Sequence, residues 1–290
     1  MVILVTGATG TIGSQVVQFL VEKDVQIRAA VHTPEKAAAL RRDHIEVVPF
    51  DYANNDVMEA ALQGVDKVFL LTPAVLEGGE MARNAIDIMR RQPITQLVRL
   101  SVLNADREPS IRITRAHREV EQYIEMIGIP HTFLRPNSFM ENLLSSADTI
   151  RQQGVLYSPM ADARVSYIAA RDIGKVAAEV LTTDGHLGKS YDLTGPTALS
   201  GGEIASAVSD TINRPVEYIP ISDEMMHRAL ADTPEEYVEQ LLELNASYRA
   251  GAGERVSNTV RDLTGRNPMT MREWLRFHAA SFRPGEARAA

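Results

Sequence analysis

Three glycines near the start of the chain, Gly7, Gly10 and Gly13, stand at the spacing G-x-x-G-x-x-G in Val2-Ile3-Leu4-Val5-Thr6-Gly7-Ala8-Thr9-Gly10-Thr11-Ile12-Gly13. Residues of this type at this spacing can hold phosphate. Gly7 can take the backbone angles of a tight turn. Gly10 has no side chain to keep a pyrophosphate from the main chain, and Gly13 lets a helix pack close to a strand. Thr9, Thr11 and Ile12 complete the loop. The free amides at a helix start, together with its dipole, would then face the phosphates. This reading needs a strand before the loop and a helix after it. The apolar run Val2–Val5 and the single apolar helical face of Val16, Val17, Phe19, Leu20 and Val21 supply both. The pattern predicts a dinucleotide site.

A second group of residues bears on which dinucleotide. An NAD site usually ends its second strand with an acid bonded to the ribose hydroxyls. Here the strand Val25–Val31 runs into His32-Thr33-Pro34-Glu35-Lys36, with no acid at its end. His32 and Lys36 suit a 2′-phosphate, so NADP(H) is expected over NAD(H). Thr33 also reads as a cap for a helix opening at Pro34. Asp51, followed by Tyr52, can either bond near an adenine or start a turn.

The elements that must position these residues alternate. Strands are expected at Ile45–Val48, Val68–Leu71, Leu97–Leu100 and His131–Arg135, with helices near 54–62, 78–91 and 111–127 between them. That order argues an α/β fold, a Rossmann-type doubly wound parallel sheet, with ligands beyond the carboxyl ends of the strands. The loops to watch begin at Thr6, His32, Asp51, Leu71-Thr72-Pro73, Ser101 and Pro136. Residues 1–150 are expected to form the nucleotide-binding domain, and 171–195 to return to it. Residues 151–290 would form a smaller, mostly helical substrate-binding part. There we expect a helix over 138–151, short strands at Gly154–Ser158 and Arg164–Ile168, and a helix over 171–182. A strand Ser190–Leu193, a helix from Ser200 with a Ser200/Glu203 capping box, a strand Val216–Ile219 and mostly helices follow. The tail from Pro284 is expected to fray.

Composition narrows the class. The 290 residues are 44% hydrophobic, enough for a real core, and carry a net charge of −8, which does not suggest a nucleic-acid surface. There is no cysteine, which excludes disulfides, thiolate catalysis and Cys-ligated metal, and fits a reducing, cytoplasmic setting. The seven histidines are scattered, with no metal-ligand spacing. We expect no signal peptide, membrane span or internal repeat.

The opening V-T-G-A-T-G-x-I-G resembles the extended and atypical short-chain dehydrogenases/reductases. So do His32-Thr33-Pro34-Glu35-Lys36-Ala37, Asp51-Tyr52, Gly128-Ile129-Pro130-His131-Thr132-Phe133-Leu134-Arg135-Pro136-Asn137, Ala170-Arg171-Asp172-Ile173-Gly174 and Gly265-Arg266-Asn267-Pro268-Met269-Thr270. Together they resemble the NmrA-like branch over nearly the whole chain. That branch includes quinone and triphenylmethane reductases, as well as proteins that bind the nucleotide without turning it over. The superfamily's usual catalytic pair is Tyr-x-x-x-Lys on the helix after the fifth strand, but the matching positions here are Ile113 and His117. The branch's reductases are similar, with His and Glu spaced like His117 and Glu121. The resemblance implies His117 and Ser101 as the catalytic candidates beside the nicotinamide, with Leu71, Thr72 and Pro73 against the cofactor. Ser101 reads equally as a strand-end cap.

By position alone, Asn137, Phe139, Met140, Tyr157 and Tyr167 could wall the substrate pocket, along with Asn142 and Met160. Such an apolar, aromatic wall would suit a flat conjugated molecule. Each also reads as ordinary packing. The function expected is an NAD(P)H-dependent reductase of a small conjugated, electron-poor acceptor. The alternative is an NADP(H)-binding redox sensor acting through a protein partner; an isomerase or dehydratase using bound nucleotide is a minor third.

Overall fold

The computed structural model describes residues 1–33, 37, 40, 42–73, 77–107 and 111–285. The apolar run at the N-terminus forms β1 (Val2–Thr6), and the glycine loop leads from it into α1 (Thr11–Val21). The alternation then continues as β2 (Gln26–Val31), β3 (Ile45–Pro49), α2 (Asn55–Leu62), β4 (Lys67–Leu70), α3 (Gly78–Met89), β5 (Gln96–Leu100), α4 (Arg112–Ile127) and β6 (His131–Pro136). After a 3-10 turn at Met140–Ser146 come α5 (Ala147–Gln153), β7 (Val155–Ser158), α6 (Ala170–Thr182) and β8 (Lys189–Leu193). The chain ends in α7 (Gly201–Ile212), β9 (Glu217–Pro220), α8 (Asp223–Ala229), α9 (Glu235–Arg249), α10 (Thr259–Thr264) and α11 (Met271–Phe282).

Seven strands form one parallel sheet in the order β3-β2-β1-β4-β5-β6-β8, while β7 and β9 pair separately. The strand order reverses between β1 and β4, so the crevice of a doubly wound sheet opens at the carboxyl ends of these two strands. Alternation along β1 divides the core. Ile3 and Val5 face α1 and α6, while Leu4 faces α2, α3 and α4. A third cluster, around Met140, Val208, Trp274 and Phe282, packs α5, α7 and α11 together.

The capping box at Ser200/Glu203 forms as expected, and Thr270/Glu273 forms another at α11. Two expectations need correction. The helix over 138–151 is a 3-10 turn followed by α5. Its start is drawn into an extended bridge, with Met140 N donating to Ile168 O at 2.9 Å and Ile168 N to Ser138 O at 3.0 Å. The strand at Arg164–Ile168 is absent as a ladder, because its residues bond different partners. Val165 pairs with Leu199, Ser166 N donates to Gly253 O, and Ile168 pairs with Phe139. The expected helix at Pro34-Glu35 and the end of the tail, 286–290, lie outside the described residues.

Helix α6 presses α1 onto the sheet at a point where a side chain does not fit. A Cβ added at Gly174 would lie 2.5 Å from Gln15 Cβ and 2.9 Å from Val16 N. Gly174→Ala should therefore push α6 off α1 and cost about 1–3 kcal/mol. Gly79→Ala in α3, whose nearest neighbour is 4.0 Å away, should cost nothing or stabilise. Urea denaturation midpoints check the pair, and a Gly174→Ala protein as stable as its parent would refute this packing.

Candidate active site

The glycine loop is built for close approach. Gly7 sits at φ +62°, and Gly10 N donates to Gly7 O at 2.8 Å, closing the turn. A Cβ at Gly13 would lie 2.1 Å from Gly7 O, so only glycine allows α1 to begin here. No side chain caps α1 and no acid sits in its first turn, which leaves its amides and dipole to a ligand. Thr9, Gly10 and Thr11 are exposed on this loop. Ile12 gives its side chain to the core and can offer only its backbone.

A hydrogen-bonded knot ties the loop to the neighbouring strand ends. Thr6 Oγ1 accepts from Leu71 N at 2.8 Å and donates to Leu71 O at 2.9 Å. Tyr52 OH donates to the same Leu71 carbonyl at 2.7 Å. Burial pushes the Tyr52 phenol up to about 12, so it stays a neutral donor. Asp51 starts a turn, with Oδ1 accepting from Ala53 N at 3.0 Å. His32 follows β2 directly and is exposed. Lys36 lies outside the described residues.

Beyond β4 and β5 lies an apolar cavity of about 140 Å³. Its floor holds Thr72, Pro73 and Arg99, and one wall is α4 with Ile113, Ala116, His117 and Val120. That volume is close to one known to hold a benzene-sized ring. His117 is half-buried, yet its Nδ1 is fully enclosed and has no hydrogen-bond partner. Burial first, and the charge of Arg99 second, push its imidazole down to about 3. It is a neutral ring at physiological pH. Arg99 is itself buried, and burial lowers its guanidinium to about 10, which leaves it cationic. Ser101 follows β5 with its amide bonded to Leu134 O at 2.7 Å; its buried Oγ has no partner. Ser101 is not among the residues lining the His117 cavity.

The roof of this cavity is α9, through Tyr237, Gln240, Leu241 and Leu244. These positions share one helical face. Ion pairs from Arg112 on α4 to Glu239 at 2.5 Å and Glu243 at 2.9 Å help seat the roof. Nothing in the sequence said that α9 lies over α4. Arg99 was also missed, although an arginine inside the strand Gln96-Leu97-Val98-Arg99-Leu100 was a visible signal.

The expected substrate wall is placed elsewhere. Asn137 is buried and consumed: its Nδ2 donates to Ser166 Oγ at 2.8 Å and Gly253 O at 2.9 Å, and its Oδ1 accepts from Ser138 N. Met140 is core, and Phe139 packs on the sheet cluster. Tyr157 is exposed on β7, bonded to Gln153. Tyr167 reaches Met160 Sδ at 3.7 Å. Each is drawn off by packing or by a hydrogen bond, and none lines the His117 cavity. Glu121, one turn beyond His117, is fully buried and bound bidentately by Arg135 at 2.8 and 2.9 Å. Its role in the structure is to lock α4 to β6.

Comparison with known proteins agrees with this architecture. The chain is 37% identical over 286 residues to an NAD(P)H azoreductase from Xenophilus azovorans, covering 97% of this chain and 99% of that protein. It is 36% identical over 287 residues to a (4-alkanoyl-5-oxo-2,5-dihydrofuran-3-yl)methyl phosphate reductase from Streptomyces griseus, covering 97% and 99%. The structure of an NADPH-dependent quinone oxidoreductase from Escherichia coli, complexed with NADPH, matches with a TM-score of 0.87 and 29% identity, over 96% of this chain and 99% of that one. Residues 1–275 match the model of the NmrA-like family, and the chain belongs to that family.

Proposed function

We propose that this chain is an NAD(P)H-dependent oxidoreductase that reduces small conjugated acceptors of the quinone or azo type, with NADPH preferred. The observation that carries the reading is the apolar one-ring cavity beyond β4 and β5, closed by α9 and faced by a neutral His117. The named relatives that reduce azo and quinone substrates support it.

The residues present fit a dinucleotide. The uncapped start of α1 and the side-chain-free cradle of Gly7, Gly10 and Gly13, with the backbone of Thr9, Thr11 and Ile12, would hold the pyrophosphate. His32 and Lys36 would hold a 2′-phosphate, and Asp51 and Tyr52 would border the adenine. Leu71, Thr72, Pro73, Ser101 and His117 would hold the nicotinamide half; the enclosed, unpartnered Ser101 Oγ and His117 Nδ1 fit a bound polar group. The bound cofactor supplies the hydride. The chain orients the rings, excludes water and offers no strong acid. Ile113 stands where a tyrosine acid would be, so quinones, which spread charge over a ring and take a proton from water, suit the site. The same absence favours a second reading, a nucleotide sensor without turnover.

Steady-state NADPH oxidation tests both. A naphthoquinone or an azo dye should be reduced, and a simple ketone should be slower by about 10²–10⁴-fold, the usual contribution of a general acid. Tight NADPH binding with no turnover on any acceptor would leave the sensor reading.

Nucleotide binding by calorimetry tests the cradle. Gly10→Val should lower NADPH affinity at least about tenfold with the fold kept, because the branched side chain would block the pyrophosphate. Lys36→Ala should narrow the gap between NADPH and NADH by roughly the 1.5–3 kcal/mol of a charge-assisted bond. Equal wild-type affinities for the two nucleotides would end the 2′-phosphate assignment.

The state of His117 has a sign that can be read. Its folded value lies below its unfolded one, so only the unfolded chain binds this proton between about 6.5 and 3, and the interaction costs stability as pH falls through that window. The His117 ring resonances should not shift between pH 5 and 8, and His117→Ala should not change the shape of the pH–kcat profile. A ring titrating near its ordinary value would show that His117 is available as an acid.

A further inference from the structure

Arg99 is the one charged residue among the described residues that line the His117 cavity. Its guanidinium is fixed in place. Nη1 donates to the carbonyls of Leu70, at 3.4 Å, and Leu100, and Nη2 donates to Thr72 Oγ1 at 3.1 Å. Its Nε has no partner. No carboxylate pairs with it among the described residues. Glu121, whose charge reaches it, already gives both oxygens to Arg135 and one also to Arg118. A buried cation without a counter-charge is costly, and an apolar residue would serve this strand at less cost. The neighbours Leu97, Val98 and Leu100 are all apolar and buried. Among the described residues this positive charge has no carboxylate bonded to it, and it lies against a cavity the size of one aromatic ring.

We propose that Arg99 selects the acceptor by charge, admitting neutral or anionic conjugated rings and rejecting cationic ones such as triarylmethane dyes. The inference rests on the reductase reading and narrows its substrate class. A neutral quinone that receives a hydride from the reduced nicotinamide gains a hydrogen and both electrons of the broken C–H bond. It becomes a hydroquinone monoanion, which then takes a proton from water. That negative charge arises beside a fixed cation in a low-dielectric site, where such a charge acts most strongly. A cationic dye is repelled by the same group before any chemistry.

The test is binding to the protein saturated with oxidised nucleotide, which cannot transfer hydride. The probes are a carboxylated azo dye and a cationic triarylmethane dye, measured by difference absorbance. The wild type should hold the anionic dye at least about tenfold more tightly, the scale of one unit charge felt through a partly shielded interior. Arg99→Met should bring the ratio to within about threefold of unity, with the cationic dye gaining affinity, while Arg99→Lys should keep the preference. If Arg99→Met does not fold, Arg99→Gln retains a donor for Thr72 without the charge and must give the same loss. Equal binding of the two dyes by the wild type, or an unchanged ratio in the neutral variant, overturns the role of Arg99. Failure of every acceptor to be reduced would instead count against the reductase reading, since the binding ratio is measured without turnover.

Discussion

The position of the glycine loop depends on the absence of room at Gly13 and Gly174. A side-chain carbon at Gly13 would collide with the carbonyl that closes the glycine turn, and one at Gly174 would collide with the backbone of α1. Together these contacts trap α1 between the end of β1 and α6. Its N-terminus, with amides uncapped, then has one position relative to the sheet. Protein interiors have no slack at this scale, so a displacement there is passed on rather than absorbed. The knot of Thr6, Leu71 and Tyr52 carries the same fixed geometry to the end of β4.

Two buried arginines on adjacent strands show how differently a fold can use one residue type. Arg135 on β6 is closed on itself: Glu121 meets it bidentately, and Asp106 adds a contact at 2.7 Å. Such a pair adds little net stability over apolar packing, but it is expensive to break from one side, and so it fixes where α4 lies. Among the described residues, Arg99 on β5 bonds carbonyls and a hydroxyl alone, and it faces the cavity. The first arginine positions the helix that carries His117. The second sets the field His117 feels and helps to keep that ring neutral.

The roof over this site is a separate layer. Helix α9 buries only Val238 and Tyr248 fully and leans on α4 through half-exposed ion pairs, each worth little by itself. Tyr248 reaches Asn137 Oδ1 at 3.4 Å, and Asn104 Nδ2 donates to Ala252 O at 2.9 Å. Loop ends after β5 and β6 therefore hold the roof, whereas the glycine loop belongs to α1 and β1. The glycine loop and the His117 cavity are built from different parts of the chain.

What the sequence by itself determined was local. The apolar strands, the period of α1, the glycine spacing and the Ser200/Glu203 capping box depend on neighbours within about one turn or one strand, and each stands close to where the residues indicated. The parallel, doubly wound sheet followed from alternation, because parallel strands need crossovers. His117 was singled out by the resemblance to the superfamily's Tyr-x-x-x-Lys helix. The tertiary structure alone decided the rest. Asn137 read as a pocket residue until Ser166 and Gly253, 29 and 116 residues away, consumed its amide. Residues 164–168 looked like a strand until each found a different partner. The cavity wall came from α9, more than a hundred residues beyond α4 in the chain. Arg99 was plain in the sequence, but that no described carboxylate bonds it was not. Whether a buried cation is paired depends on which acids the fold brings within reach, and that is a property of the assembled core.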